Sequence, residues 1–196
     1  MAAESGILNN NNRTVSVKRK QLINIHLWLA AFFTPLVLMM AITGGLYLLG
    51  EKGSVETTVV AQLPGQALDL HKGQEKARID ALLQQAGVTD FRYAYVKDRG
   101  DEAMTRPTSR TYYILRETPS GLDVVRAEPS LLAAMIELHK GHGPVAFRWL
   151  EMALALGLTF IMISGFWLGL QSPMLKKKTL LLSGSGLIVC LLVASL

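Results

Sequence analysis

From Leu22 to Leu49, and again from Met152 to Leu170, the chain carries no Asp, Glu, Lys or Arg. At about 1.5 Å of rise per residue, a helix of either length crosses a hydrocarbon core of about 30 Å. A chain of 196 residues has too little interior to bury two such runs, so a bilayer is the environment that accommodates them. Thr179 to Leu196 adds eighteen uncharged residues, near the lower length for a span. The expected frame is an α-helical integral membrane protein with three transmembrane helices, at residues 21–49, 146–170 and 179–196. The first run is about twice as long as a signal-peptide apolar core, and GEKGSVETT after it offers no small-x-small cleavage pattern, so it reads as a retained span.

Charge placement orients the frame. Arg13, Lys18, Arg19 and Lys20 precede the first span, and Lys176, Lys177 and Lys178 lie in the basic loop 171–178. The other flanks carry only Lys52, Lys140 and Arg148, so the tail 1–20 and the loop are expected in the cytoplasm and residues 50–145 outside it. The net charge of +5 is thereby explained by the lipid bilayer as partner, and no nucleic-acid partner is implied. The polar start of the tail, MAAESGILNNNN, reads as disordered. Cys190 is alone and cannot close an intrachain disulfide.

Residues 50–145 hold 12 basic and 13 acidic residues, a near balance that suits a folded, solvated domain. Gly50 to Leu70 lacks sustained periodicity and reads as a linker. Gln74 to Gln85 has a helical stripe, with a stop at Ala86-Gly87. Phe91 to Lys97 alternates as a strand does. Thr111 to Glu117 and Leu122 to Arg126, joined by Thr118-Pro119-Ser120-Gly121, form a hairpin pattern. The polar DRGDEAMTRPTS reads as a loop, and Ser130 to His139 as a second helix. The expected domain is an α+β unit with a three-stranded antiparallel sheet covered on one face.

The two long spans share a pattern at an offset of 121 residues: Trp28-Leu29 matches Trp149-Leu150, and Ile42-Thr43-Gly44 matches Ile163-Ser164-Gly165. The Trp residues suit the headgroup belts. Gly44, Gly45, Gly165 and Gly169, with Ser183 to Gly186 in the third span, suit close helix packing.

RKQLINIHLWLAAFF followed by ITGGLYLL, and LHKGHGPVAFRWLEMALAL followed by ISGFWLGL, resemble the spans of the PepSY-associated transmembrane helix family, over roughly residues 18 to 170. The resemblance implies a PepSY-like extracytoplasmic domain, the bacterial inner membrane, and a link to iron uptake. It also implies haem, of b type, as the cofactor to test, since family members include ferric-siderophore reductases that carry haem on membrane histidines. By resemblance His26 falls on the histidine that opens the first family span, and His139 on the one that precedes the second. Larger reductase-like members have a fourth helix and more extracytoplasmic sequence, which weakens the transfer of enzyme activity.

Each of the four histidines has a plain reading and a functional one. His26, His139 and His142 are candidate haem ligands, and His71, His139 and His142 are candidate metal ligands at the outer side. The plain reading has His139 closing its helix on a backbone carbonyl, His142 at the interface and His26 fixing a helix end. His26 has no histidine at matching depth within the chain, so a haem there requires a second copy or another membrane subunit. No catalytic constellation stands out, and catalysis is left open. The reading preferred from sequence is a non-catalytic accessory or partner-binding component linked to iron uptake, and the alternative is a haem-bearing electron-transfer subunit of ferric-siderophore reduction.

Overall fold

The computed structural model describes the backbone of residues 2–196 and the side chains from Lys18 onward, so the expected disordered tail falls almost wholly outside the described side chains. The elements run α1 (Ala2–Leu48), β1 (Val55–Pro64), α2 (Glu75–Gln85), β2 (Tyr95–Asp98), β3 (Glu102–Arg106), β4 (Tyr112–Thr118), β5 (Gly121–Pro129), α3 (Leu131–His139), α4 (Val145–Gln171) and α5 (Lys176–Ala194). Three helical segments, Lys18–Leu48, Val145–Gln171 and Lys176–Ala194, are long and apolar enough to cross a membrane. The chain is thus a multi-pass helical membrane protein with an inserted α+β domain. It divides into two compact units, one of Met1–Pro35 with Ala153–Leu196, the other Leu36–Met152.

In the first unit, Gly157 of α4 lies against the ring of Phe33 on α1, so closely that a Cβ would overlap it. Phe33 is accordingly buried although it belongs to a membrane helix. Gly169 serves the contact with α5, where a Cβ would stand 2.6 Å from Thr179 Oγ1. Small residues here do what packing in lipid requires, letting backbones approach in the absence of a hydrophobic drive. Gly184 and Gly186 face nothing within reach. α5 begins at Lys176, so the three lysines of the expected loop form its first turn.

The second unit holds an open antiparallel sheet in the order β1-β5-β4-β3-β2. Five strands replace the expected three. β1 occupies the stretch read as linker. Its residues are β-branched (Val55, Thr57, Thr58, Val59, Val60), but it is an edge strand, almost entirely exposed and bulged between Val59 and Ala61, so no alternation marks it. β3 occupies the stretch read as loop. It lies between β2 and β4, and Ala103, Met104, Thr105 and Arg106 are all buried, so both faces are covered and the polar residues hide the strand. Of Phe91 to Lys97 only Tyr95 onward is strand, while Phe91 and Tyr93 pack beside the core ahead of it. The hairpin pairs Thr118 with Gly121, as its turn residues predict.

Both faces of the sheet carry apolar clusters, where one was expected. Ile79, Leu82 and Leu83 of α2 pack with Leu115, Leu122 and Val124, the main core. Met104, Ile114, Val125 and Ala127 form a smaller cluster on the opposite face. Ser130 caps α3 by accepting from Ala133 N, and exchanges bonds with the segment after α1: Ser54 N donates to its Oγ (3.1 Å), and its own N donates to Ser54 O (2.8 Å). Gly53 makes this approach possible. Its φ is +70°, and a Cβ there would lie 2.6 Å from Ala133 N. Gly53→Ala is expected to destabilise this unit by about 1–3 kcal/mol, read from thermal unfolding of the purified chain. An unchanged midpoint would show that the cap tolerates displacement.

Candidate functional site

His26 sits on α1, half-buried, with Nδ1 2.8 Å from Ser164 Oγ of α4. Ser164 is buried, and its hydroxyl donates to Ile161 O at 3.1 Å, a bond within its own helix. A Ser164 hydroxyl that keeps its proton on Ile161 O can accept from the ring, which would place hydrogen on Nδ1 and leave the lone pair on Nε2. Gly165, the next residue, faces the ring edge: a Cβ there would be 3.3 Å from His26 Cε1.

His139, the last residue of α3, repeats the arrangement. Its Nδ1 is 2.9 Å from Thr43 Oγ1 on α1, and Thr43, 1% exposed, donates to Met39 O at 2.7 Å. The adjacent Gly44 faces His139 Cε1, which a Cβ would approach to 3.1 Å. Thr43-Gly44 and Ser164-Gly165 are the matched pairs of the sequence repeat. Their glycines make room for imidazoles instead of for helix backbones, which corrects the packing role expected of them. Sequence reasoning had singled out the repeat and the histidines, but nothing local joins His26 to Ser164, 138 residues on, or His139 to Thr43, 96 residues back.

Both rings have a side-chain hydrogen-bond partner on another helix, as a structural role also requires. α3 is closed by the backbone N–H of Lys140 on Ile136 O, not by His139. In each pair Nε2 has no hydrogen bond among the described residues, and it is the atom through which histidine commonly binds a metal once a partner fixes the other nitrogen.

The outer histidines take separate partners. His71 is exposed and 3.4 Å from Asp69 Oδ1. His142 Nδ1 is 2.8 Å from Glu137 Oε2. Among the described residues, no group of three or more His, Cys, Asp or Glu side chains is placed to hold a metal ion.

Glu137 anchors a polar cluster that the sequence did not reveal. Thr108 Oγ1 donates to its Oε2 at 2.5 Å, Lys140 Nζ to its Oε1 at 3.1 Å, and Arg106 Nη1 reaches Oε2 at 3.4 Å. Burial works to raise the carboxyl, but the bonds from Thr108, His142 and Lys140 and the charge of Lys140 outweigh it and hold it at about 2, below its ordinary 4.5. A carboxyl depressed in the folded state contributes stability that is complete above the unfolded value and is lost as pH falls through the folded one. The unit is therefore expected to lose stability between pH 4.5 and 2, and Glu137→Gln to flatten that dependence. All five tyrosines lie within Leu36–Met152, so their near-ultraviolet dichroism reads this unit. An equal acid response in the variant would contradict the assignment.

α4 starts at Val145, ahead of the uncharged run, and so brings Arg148 and Glu151 into its first two turns. Glu151 Oε1 is buried with no hydrogen-bond partner among the described residues.

No protein family, curated protein or solved structure matches this chain.

Proposed function

We propose that this chain is a haem-bearing electron-transfer component of a reductase in the bacterial inner membrane, serving the reduction of ferric chelates, with His26 and His139 as haem ligands through Nε2. The observation that carries the reading is the twofold occurrence of one device: an imidazole whose Nδ1–H is fixed by a hydroxyl already committed to a backbone carbonyl, with a glycine beside the ring. A histidine that merely closed a helix end would not need its tautomer set. In hydrocarbon an unpartnered nitrogen lone pair is costly, so a ligand for Nε2 of His26 relieves a penalty as well as adding a bond.

The donor chemistry fits haem, since each ring has an Nε2 without a hydrogen bond among the described residues, on a half-buried His26 and an exposed His139. Bound haem would supply a one-electron couple. The chain's own part is to hold each ring in one orientation, keep the proton on Nδ1, and strengthen Nε2 as a donor through the hydroxyl bond. Each site offers one histidine, so a further ligand would have to come from a second copy of the chain in a homo-oligomer or from another membrane subunit.

The amino terminus is cytoplasmic and residues 50–145 are extracytoplasmic in this proposal, on the seven-to-three bias of basic residues. The exposed Asp90→Cys, in a Cys190→Ser background, is expected to react with a membrane-impermeant maleimide in spheroplasts. Labelling only after lysis would reverse the topology.

The function is tested by expressing the chain under haem-replete conditions and purifying it in a neutral detergent. Haem is expected to co-elute with the chain and to show sharp bands on reduction. A colourless protein would restore the reading of a non-catalytic accessory component that binds a partner through its inserted domain.

A further inference from the structure

We propose that the cavity of about 350 Å³ between the end of α1, the β3–β4 face of the sheet and the end of α3 is a binding site for an oxyanion, phosphate or carboxylate. Its volume lies within the range of about 300–1,000 Å³ usual for small-ligand sites. Lys52, Arg99, Arg106 and Lys140 line it against a single carboxylate, Glu137, and that carboxylate is already shared with Thr108 and His142. Arg99 is paired with Glu102 at 3.9 Å, so Lys52, Arg106 and Lys140 face the one lining carboxylate, an excess of positive charge at the cavity.

Arg106 is the informative residue. It is 6% exposed, yet its Nε is buried without a partner, and its Nη2 makes no hydrogen bond among the described residues. Only Nη1 is engaged, with Thr108 Oγ1 at 2.9 Å and Glu137 Oε2 at 3.4 Å. A guanidinium taken out of water and left this short of acceptors carries a desolvation cost that an anion in the cavity would offset. Its planar fork suits a carboxylate or phosphate.

At the rim, the ammonium groups of Lys52 and Lys140 stand 5.2 and 5.0 Å from the centroid of the Tyr47 ring, which holds both cations at the cavity. Tyr112, also lining it, has its phenol pushed up by burial first and then by the charge of Glu137, so it retains a proton to donate. The segment from Gly53 to Val55 closes the wall.

Two sources share this chemistry: a soluble anion and the headgroup of an anionic phospholipid. The inference does not rest on haem and stands or falls separately. The test uses the full chain in neutral detergent, titrated calorimetrically with inorganic phosphate and with citrate, and native mass spectrometry after extraction from phosphatidylglycerol-containing membranes. Saturable binding of a soluble anion, weakened roughly tenfold to hundredfold in the Lys52→Ala, Lys140→Ala double variant, supports the site with a soluble ligand. Phosphatidylglycerol retained by the wild type and lost from the double variant supports it with a lipid ligand. Arg106→Lys is expected to weaken whichever ligand binds, and should that variant fail to fold, the two exposed rim lysines still decide. No binding in either arm, or equal binding by wild type and double variant, overturns the proposal.

Discussion

His26→Ala is expected to abolish one haem signal while leaving the inserted domain folded, and His139→Ala to abolish another. Each substitution would remove the proposed Nε2 ligand at one site only, because His26 bonds Ser164 and His139 bonds Thr43 with no shared residue. The structural cost is that of one side-chain hydrogen bond, about 0.5–1.5 kcal/mol, too small to unfold the chain. Haem loss together with an unchanged tyrosine dichroism is therefore the expected pair of results. Undiminished haem in His26→Ala would strike His26 from the ligands, and the same result in His139→Ala would strike that residue.

Thr43→Val and Ser164→Ala are expected to lower haem affinity about 10–100-fold without deleting a ligand. Valine keeps the shape of threonine and removes the acceptor on which the Nδ1–H of His139 depends; alanine does the same for His26. The ring can then rotate or exchange tautomers, and Nε2 is no longer held ready. Titration of haem into the apo-protein reads the effect, and Thr43→Ser, which retains the hydroxyl, should restore most of the affinity. If both hydroxyl-deleting variants bound haem as the wild type does, the hydroxyls would be packing groups alone, and the argument from the tautomers would lose its basis.

The parts of the fold legible in the sequence were those with a single dominant signal. Uncharged length marked the three membrane helices, the Thr118–Gly121 turn marked the β4–β5 hairpin, and the Ala86-Gly87 stop bounded α2. β1 and β3 escaped for opposite reasons. β1 is so exposed that neither of its faces is apolar, and β3 is so covered that Thr105 and Arg106 are buried beside Ala103 and Met104. Period-two reasoning detects a half-buried strand and is blind to both extremes.

The candidate sites divide in the same way. The residue types were visible: two histidines near the spans, and two hydroxyl-glycine pairs at matching positions. Their partnership is a long-range contact in both cases, and no periodicity encodes which ring meets which hydroxyl. Arg106 and Glu137 were hidden more completely, since one lay in an apparent loop and the other on a helix read for its apolar face.

Electron paramagnetic resonance of the oxidised, haem-replete wild-type protein tests the central claim most directly, because it reports the axial ligands themselves. The account predicts low-spin ferric signals typical of two imidazole ligands, diminished in each single histidine variant and absent from the double variant. A high-spin signal, or a low-spin signal that persists in the His26→Ala, His139→Ala double variant, would contradict it.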